Sequence, residues 1–327
     1  MRDQFFGCEI EMTGLTRQQA AGALATLFGT TAVHTSSPRA YDPWEVTDND
    51  GKVWRFVKDS SIRPEHRERG RLVSASDLYK VEMNSPKLEY SEMGKLQEAV
   101  RALRRAGALV NSSCGMHVHV DASRHTPQSL KNALSIMYSK EDILFKALRV
   151  NENRVERWCK KVNEDKLRKI RKLPPGAEMR KMKELWYSDT SESPSFHYNE
   201  TRYYALNLHS VFYRGTLEWR CFESTLHAGE VRANITLALA ISAQAINQKR
   251  TVMRKTEIMC RRSTKTLNCS IRTSYDITGR YASETISASS KTSHEAGKKG
   301  KTELCPLRGG CARRLLPACR LRCRRSP

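Results

Sequence analysis

The chain has 327 residues, of which 39% are hydrophobic and 28% are charged, a composition typical of a globular protein with a substantial core. The first 12 residues show no secretory signal, and the longest apolar segment, residues 235–246, is too short to cross a bilayer, so we expect a cytoplasmic protein without a membrane partner. Residues 250–327 hold 19 Lys and Arg against 5 Asp and Glu, a net +14 of the total +22, so the overall charge predicts no nucleic-acid partner for the remainder.

Residue periodicity predicts five β-strands and four helices. In chain order these are a strand at 6–12, a helix at 16–28, strands at 54–58 and 78–84, a helix at 90–109, a strand at 116–121, a helix at 127–150, a strand at 216–222 and a helix at 229–248. Residues 151–200 are charged and are expected to form a helix and then a mobile loop. A hairpin turn is expected at 213–215. The pattern predicts an α+β fold, with a mostly antiparallel curved sheet and flanking helices.

The composition changes near residue 250, after which Ser, Thr, Lys and Arg dominate. Six of the ten cysteines also lie in this last part of the chain. We expect a catalytic domain over residues 1–249 and a basic, Cys- and Arg-rich tail over residues 250–327. The tail is expected to be disordered, or to result from a frameshift that replaced the native reading frame. The four earlier cysteines are expected to be reduced and packed.

Charged and imidazole side chains share one face on several predicted strands, because residues i and i+2 of a strand point the same way. These side chains are Glu9 and Glu11, then Glu82, then His117 and His119, and finally Glu218 and Arg220. For any single strand, this polar face is explained equally well by an ordinary sheet with one face in solvent. However, acidic residues are uncommon in strands, and neighbouring carboxylates repel each other unless a cation lies between them. The shared bias therefore favours a cleft that binds Mg²⁺ or Mn²⁺.

Five motifs, in order, resemble those of the amidoligase family. Residues 7–11 (GCEIE) resemble its opening strand, residues 54–62 its Asp-Gly-Ser motif with Ser60 in place of Gly, and residues 81–86 its Glu-x-x-Ser-Pro strand. Residues 114–120 resemble both this family and the Gly-x-His-x-His strand of glutamine synthetases, and residues 202–207 with 216–225 resemble the closing hairpin. The resemblance spans about residues 5–248 and implies a fold like the catalytic domain of glutamine synthetase.

This resemblance implies a ligase that uses ATP and Mg²⁺ (or Mn²⁺) to join a carboxylate to an amine through an acyl phosphate. It implies a metal site formed by Glu9, Glu11, Glu82, His117 and Glu218. Arg220 and Arg202 would hold the acid or the transferring phosphoryl group, Arg220 and His119 would contact the cofactor, and Asp59 would hold or deprotonate the amine. Each substrate could be an amino acid, a peptide or a protein side chain. ATP binding rests on the resemblance, because the sequence contains no P-loop motif.

Two alternatives stay open at this level. A metal-dependent hydrolase would use the same cleft and would turn over without ATP. A non-catalytic nucleic-acid-binding protein would use the Arg-rich helices near residues 103–105 and 166–172 together with the tail, and its binding would depend steeply on salt. Cys114 is expected to be a packed cysteine rather than a nucleophile, and Trp54 a core residue rather than a platform for adenine.

Overall fold

The structure is a computed structural model that describes residues 1–35 and 41–249. The predicted tail over residues 250–327 lies outside the described residues, and so do the predictions that it is disordered or results from a frameshift. The division into a catalytic domain and a tail therefore stays a prediction.

Ten β-strands form within the described residues. They are β1 (Phe6–Met12), β2 (Ala32–His34), β3 (Trp44–Thr47), β4 (Val53–Val57), β5 (Glu65–Glu68), β6 (Arg71–Ser74), β7 (Val81–Asn84), β8 (Gly115–Asp121), β9 (Leu206–Asn207) and β10 (Thr216–Glu223). Eight of them form one open sheet in the order β2-β3-β4-β7-β1-β8-β10-β9, and β5 pairs with β6 in a separate hairpin. The strand pairs of both sheets are antiparallel, which confirms the mostly antiparallel α+β prediction.

The described residues also form eight α-helices. They are α1 (Arg17–Phe28), α2 (Met93–Arg105), α3 (Pro127–Leu148), α4 (Glu152–Arg157), α5 (Glu164–Arg171), α6 (Met179–Trp186), α7 (His209–Arg214) and α8 (Ala228–Asn247). As predicted, α1 begins after Thr16, whose side chain caps the helix, and ends at Gly29 in the left-handed conformation. In the part of the chain that the structure describes, no helix combines the length and the apolar character needed to cross a membrane.

The hydrophobic core lies between the sheet and helices α1, α2, α3 and α8. The alternating apolar residues of β1 and β8 point into it, together with leucines of the helices: Cys8, Ile10, Met12, Met116, Val118, Val120, Leu24, Leu96, Leu134 and Leu239. Because strand residues alternate, burial of this set turns the acidic and histidine residues of the same strands to the other face.

Three segments differ from the sequence-based expectation. The expected hairpin turn at 213–215 is the end of helix α7, which Gly215 terminates in the left-handed conformation. Residues 151–200 contain three helices instead of one helix and a loop, because sparse apolar residues such as Leu167, Met182 and Trp186 are buried against the core. Strand β7 begins at Val81, later than expected, because residues 77–79 form a 3-10 turn.

Candidate active site

The register of the four central strands brings the predicted polar residues together. Glu9 lies opposite His117 across β1 and β8, and Glu11 lies opposite Glu82 across β1 and β7. Glu218 of β10 lies opposite His119 of β8. Directly opposed residues point to the same face of a sheet and are neighbours there. Strands that are distant in the sequence thus converge on one cluster.

The cluster has His117 and Glu9 at its centre. The Nδ1 atom of His117 lies 2.8 Å from Oε2 of Glu9 and 3.9 Å from Oε1 of Glu218. His119 approaches the same two carboxylates, with Nε2 at 3.4 Å from Glu9 and 3.9 Å from Glu218. That buried Nε2 atom nevertheless has no hydrogen-bond partner among the described residues. The cluster therefore contains a nitrogen that is free to bind something further.

Two triads in this cluster have the spacing of cation ligands. One ligand atom from each of Glu9, His117 and Glu218 lies within 4.8 Å of the other two. The same spacing holds for Glu11, Glu82 and His117. His117 belongs to both triads, and together they include all five residues predicted to bind metal.

Neighbouring polar groups fix the orientation of these carboxylates. Arg220 Nη1 and Asn207 Nδ2 donate to the two oxygens of Glu218, at 2.6 and 2.7 Å. The backbone N–H of Gly115 donates to Glu11 at 2.6 Å, and Asn84 donates to Glu82 at 2.9 Å. Each acid is therefore held in place by a short, specific contact.

Burial and mutual repulsion divide the acids into two groups. Burial alone would raise the pKa of Glu9, but the charge of His119 and the hydrogen bond from His117 hold it well below its ordinary value. Burial likewise opposes ionisation of Glu218, yet the Arg220 guanidinium lowers its pKa to about 2. In contrast, burial and the nearby Asp59 charge raise the pKa of Glu11 to about 8.

The pKa of Glu82 also lies well above its ordinary value, because of its burial and then the charges of Glu9, Asp59 and Glu11. Burial and the Arg220 charge lower the pKa of His117 to about 4, so its imidazole is neutral at pH 7. Burial opposes protonation of His119 as well, but the charges of Glu218 and Glu9 raise its pKa. On the Glu11–Glu82 side of the cluster, ionisation of both carboxyls is therefore unfavourable, because of their raised pKa values, and neutral His117 adds no positive charge that would favour it.

Two cavities open on either side of the cluster. The Arg220 cavity has a volume of about 480 Å³ and is lined by Glu11, Asp59, His117, Arg154, Arg202 and Arg220, among others. The Arg214 cavity has a volume of about 390 Å³ and is lined by Glu9, Lys87, His119, Asp121, Arg214 and Thr216, among others. The cluster therefore faces two separate spaces, each large enough for a small molecule.

Asp59 and Arg202 lie in the wall of the Arg220 cavity rather than in the cluster itself. The Asp59 carboxylate accepts bonds from the backbone N–H and the hydroxyl of Ser61, both at 2.6 Å. Arg202 donates to the carbonyl of His197, and its guanidinium lies over the ring of Tyr198. Ser60, which replaces a glycine of the family motif, is not among the residues with positive φ, so the turn imposes no strain on it.

Cys114 and Trp54 have packing roles, as expected. Cys114 is buried, and burial raises the pKa of its thiol to about 11, which makes it a poor nucleophile. Trp54 is fully buried, and its indole N–H donates to Asp48. Neither side chain lines a described cavity of the cluster.

Several residues of the site were missed from the sequence. Arg214 was assigned to a turn, yet its Nη1 donates to Glu9 at 3.1 Å. Arg154 was one of many charged residues in a segment expected to form a helix and then a loop, yet it is buried beside Glu11. Only a weak indication in the sequence places Asn207 in the site, namely its position in the segment that resembles the closing hairpin.

A model of a known protein family matches most of the chain. The family model described as "Putative amidoligase enzyme" matches residues 2–242. This range includes every strand and all of the predicted site residues. No curated protein matches the chain.

Proposed function

The chain belongs to the amidoligase enzyme family, and from this premise we propose that it is an ATP- and Mg²⁺-dependent ligase that forms an amide or isopeptide bond. Family membership supports an enzyme that joins an acid to an amine. The observation that carries the finer proposal is the pair of overlapping triads, which gather four glutamates and a neutral histidine in one buried cluster. We further propose that the antiparallel sheet is of the glutamine synthetase catalytic type.

The donor set fits magnesium or manganese. Carboxylate oxygens and a neutral imidazole are ligands that these ions accept. The raised pKa values of Glu11 and Glu82 mean that ionising them is unfavourable within the described residues, and a divalent cation bound beside them would favour the ionised form. Glu9 and Glu218 would hold one ion and Glu11 and Glu82 a second, and the single lone pair of neutral His117 would complete one of the two sites. Bound there, the ions would neutralise the phosphates of ATP and align the γ-phosphoryl group.

The proposed reaction has two steps. A carboxylate oxygen of the acid attacks the γ-phosphorus of ATP, the bond to the β-phosphate oxygen breaks, and ADP leaves. The amine then attacks the carbonyl carbon of the acyl phosphate, and inorganic phosphate leaves as the amide forms. The amine must lose a proton in this second step. Asp59, in the wall of the Arg220 cavity, is the proposed acceptor or holder of the ammonium group.

We assign the nucleotide to the Arg214 cavity and the acid and amine to the Arg220 cavity. His119 borders the first cavity, and its Nε2 atom, which has no hydrogen-bond partner among the described residues, is placed to donate to a phosphate. Lys87 and Arg214 add positive charge on the same side. Arg220 and Arg202 line the second cavity, where guanidinium groups can hold the acid or the phosphoryl group as it transfers.

An ADP-release screen tests this proposal. The full chain is incubated with ATP, Mg²⁺ and a panel of acids and amines, with and without a chelator. The ligase predicts ADP release that requires the metal, an acid and an amine together, and an amide product detectable by mass spectrometry. Turnover of an amide without ATP would support a metal-dependent hydrolase instead, and no metal-dependent ADP release with any pair would reject the proposal.

A further inference from the structure

A third cavity lies beside the Arg220 cavity and has a different chemistry. This Arg157 cavity has a volume of about 390 Å³, and its lining includes Arg63, Arg154 and Arg157 together with serine and asparagine side chains. No carboxylate lines it in the part of the chain that the structure describes. Such a lining suits an anionic group rather than a cation or an apolar one.

The Arg157 cavity adjoins the space that the proposed chemistry uses. Ser61, Ser113, Arg154 and Trp158 line both this cavity and the Arg220 cavity. In contrast, it shares no lining residue with the Arg214 cavity, to which the nucleotide is assigned. An extended acid in the Arg220 cavity can therefore continue past Arg154, while ATP is placed elsewhere.

Arg154 has the features of a binding residue rather than of a surface charge. It is only 6% exposed, its Nη2 donates to the Arg220 carbonyl at 3.1 Å, and its buried Nε has no hydrogen-bond partner. Within the described residues, neither Arg154 nor Arg63 nor Arg157 forms an ion pair. The carboxyl of Glu11 lies near Arg154 without forming an ion pair with it, and a bound anion would supply the partner that a buried guanidinium needs.

The chain also makes room for this guanidinium. A Cβ atom at Gly115 would overlap with the guanidinium of Arg154, so the absent side chain is what allows Arg154 to lie against β8. The backbone N–H of the same glycine holds Glu11 of the metal cluster. Arg154 is thus placed between the cluster and the Arg157 cavity.

We propose that the acid substrate carries a second anionic group, which the Arg157 cavity binds through Arg154, Arg157 and Arg63. This inference rests on the proposed ligase function and names the class of acid: a molecule such as an acidic peptide, longer than a simple monocarboxylic acid. The carboxylate to be activated lies in the Arg220 cavity, and the second carboxylate or phosphate lies beyond Arg154. Bidentate contacts with the arginines distinguish such an acid from its neutral analogue.

Calorimetric titration of two matched peptides tests the inference without requiring turnover. The full chain, with Mg²⁺ and a non-hydrolysable ATP analogue, is titrated with N-acetyl-Glu-Glu-amide and with N-acetyl-Glu-Gln-amide, which differ by one carboxylate. We expect the diacid to bind about tenfold more tightly, as is typical of a hydrogen-bonded charged group. N-acetyl-Glu-phosphoserine-amide is the third probe, and a still tighter fit would identify phosphate as the second group.

Three variants localise the effect. Replacing both exposed arginines, Arg63→Met with Arg157→Met, should reduce the diacid's advantage to about twofold, and Arg154→Met should abolish it. Arg105→Met is the matched control, because Arg105 is exposed on α2 and lines none of the three cavities, so the advantage should stay near tenfold. If Arg154→Met fails to fold, the exposed pair still gives the answer.

The outcomes separate the two proposals. Equal affinity of the wild-type chain for all three peptides, or an advantage that survives the Arg63 and Arg157 replacements, would overturn the anion site. A diacid advantage without ADP release in any acid and amine pair would reject the ligase but keep the anion site. ADP release with a clear preference for diacids, lost in the variants, would support both.

Discussion

The imidazole of His117 contacts Glu9, with Nδ1 at 2.8 Å from Oε2, and it belongs to both candidate metal triads. A neutral imidazole has one N–H and one nitrogen with a lone pair, so His117 can ligate one ion while its other nitrogen donates to a carboxylate. Burial and the charge of Arg220 lower the pKa of His117 to about 4, which keeps the ring in the neutral form that binds metals. The first prediction follows from the proposed ligand role of Glu9, and the next two follow from the cost of ionising Glu82 and Glu11, whose pKa values are raised.

Glu9→Gln should reduce Mg²⁺-dependent ADP release by more than about 100-fold. Loss of a direct ligand is expected to exceed the effect of losing a supporting residue, which is commonly 10- to 100-fold. The fold should be retained, as judged by circular dichroism, because Gln keeps the size of the side chain and its carbonyl oxygen can still accept one of the two hydrogen bonds from His117 and Arg214. Glu98→Gln on the exposed face of α2 is the control and should retain wild-type turnover. Wild-type turnover by Glu9→Gln would rule Glu9 out as a ligand.

Glu82→Gln should stabilise the metal-free protein while weakening its metal binding. The pKa of Glu82 is raised by burial and by the charges of Glu9, Asp59 and Glu11, so a neutral amide removes repulsion. We expect a gain of about 1 kcal/mol in the free energy of unfolding measured in EDTA, and Mg²⁺ affinity at least tenfold weaker. A variant that lost stability in EDTA would show that Glu82 is not repelled by its neighbours.

Binding of Mg²⁺ should release protons, and its affinity should rise with pH from 6 to about 8.5. The pKa of Glu11 is about 8 in the folded chain, against an ordinary 4.5, so this carboxyl is mostly protonated at pH 7 and must lose its proton to bind metal. The stability of the metal-free chain depends on pH in the opposite direction. A raised folded pKa means that stability falls as the pH rises from the ordinary value through 8.

Calorimetry in two buffers of different ionisation enthalpy measures the released protons, and thermal unfolding with and without Mg²⁺ measures the stabilisation. We expect the stabilisation by Mg²⁺ to be larger at pH 8.5 than at pH 6. An affinity that does not change with pH would mean that Glu11 is already ionised before the metal binds.

The polar face of the sheet could be predicted because alternation is a local property. Burial of Ile10 and Val118 dictates that Glu9 and His117 point the other way, and the structure follows this pattern. The strand neighbours could not be predicted in this way. Pairing of Glu11 with Glu82 depends on β7 lying beside β1, which no residue of either strand encodes alone.

The supporting residues of the site could not be predicted, because they act through tertiary contacts. Arg214 and Arg154 stand on short helices among other charged residues, and only the packing of those helices shows that they reach Glu9 and line the cavity beside Glu11. The strands β5, β6 and β9 are too short for an alternation of apolar and polar residues to be recognised, so residue periodicity did not predict them.

Glu218 and Arg220 should show strong energetic coupling. Both are buried, and Arg220 Nη1 donates to Glu218 at 2.6 Å, so Glu218→Gln leaves a buried guanidinium without its carboxylate. We expect Glu218→Gln to cost about 3 kcal/mol in the free energy of unfolding. Adding Arg220→Met should restore part of that loss, with a coupling energy of about 1–3 kcal/mol in urea unfolding. Strictly additive losses would contradict a direct pair.

Gly115→Ala and Gly22→Ala should change stability in opposite directions. Both glycines lie outside the positive-φ set, so alanine fits the backbone at each, and only the surroundings differ. A Cβ at Gly22, inside α1, meets nothing within 4 Å, and alanine should stabilise the protein by about 0.5–1 kcal/mol through its helix propensity.

A Cβ at Gly115 overlaps with the Arg154 guanidinium, and forcing that group aside should cost about 1–3 kcal/mol. The double variant Gly115→Ala with Arg154→Ala separates this clash from any other effect of the methyl group. If the clash is the cause, the second change costs less in the Gly115→Ala background than in the wild type, because the guanidinium is already displaced there. Chemical unfolding of the four proteins measures this difference. Equal costs of Arg154→Ala in both backgrounds would mean that Arg154 does not lie against Gly115 in solution, and the wall between the Arg220 and Arg157 cavities would then have to be formed differently.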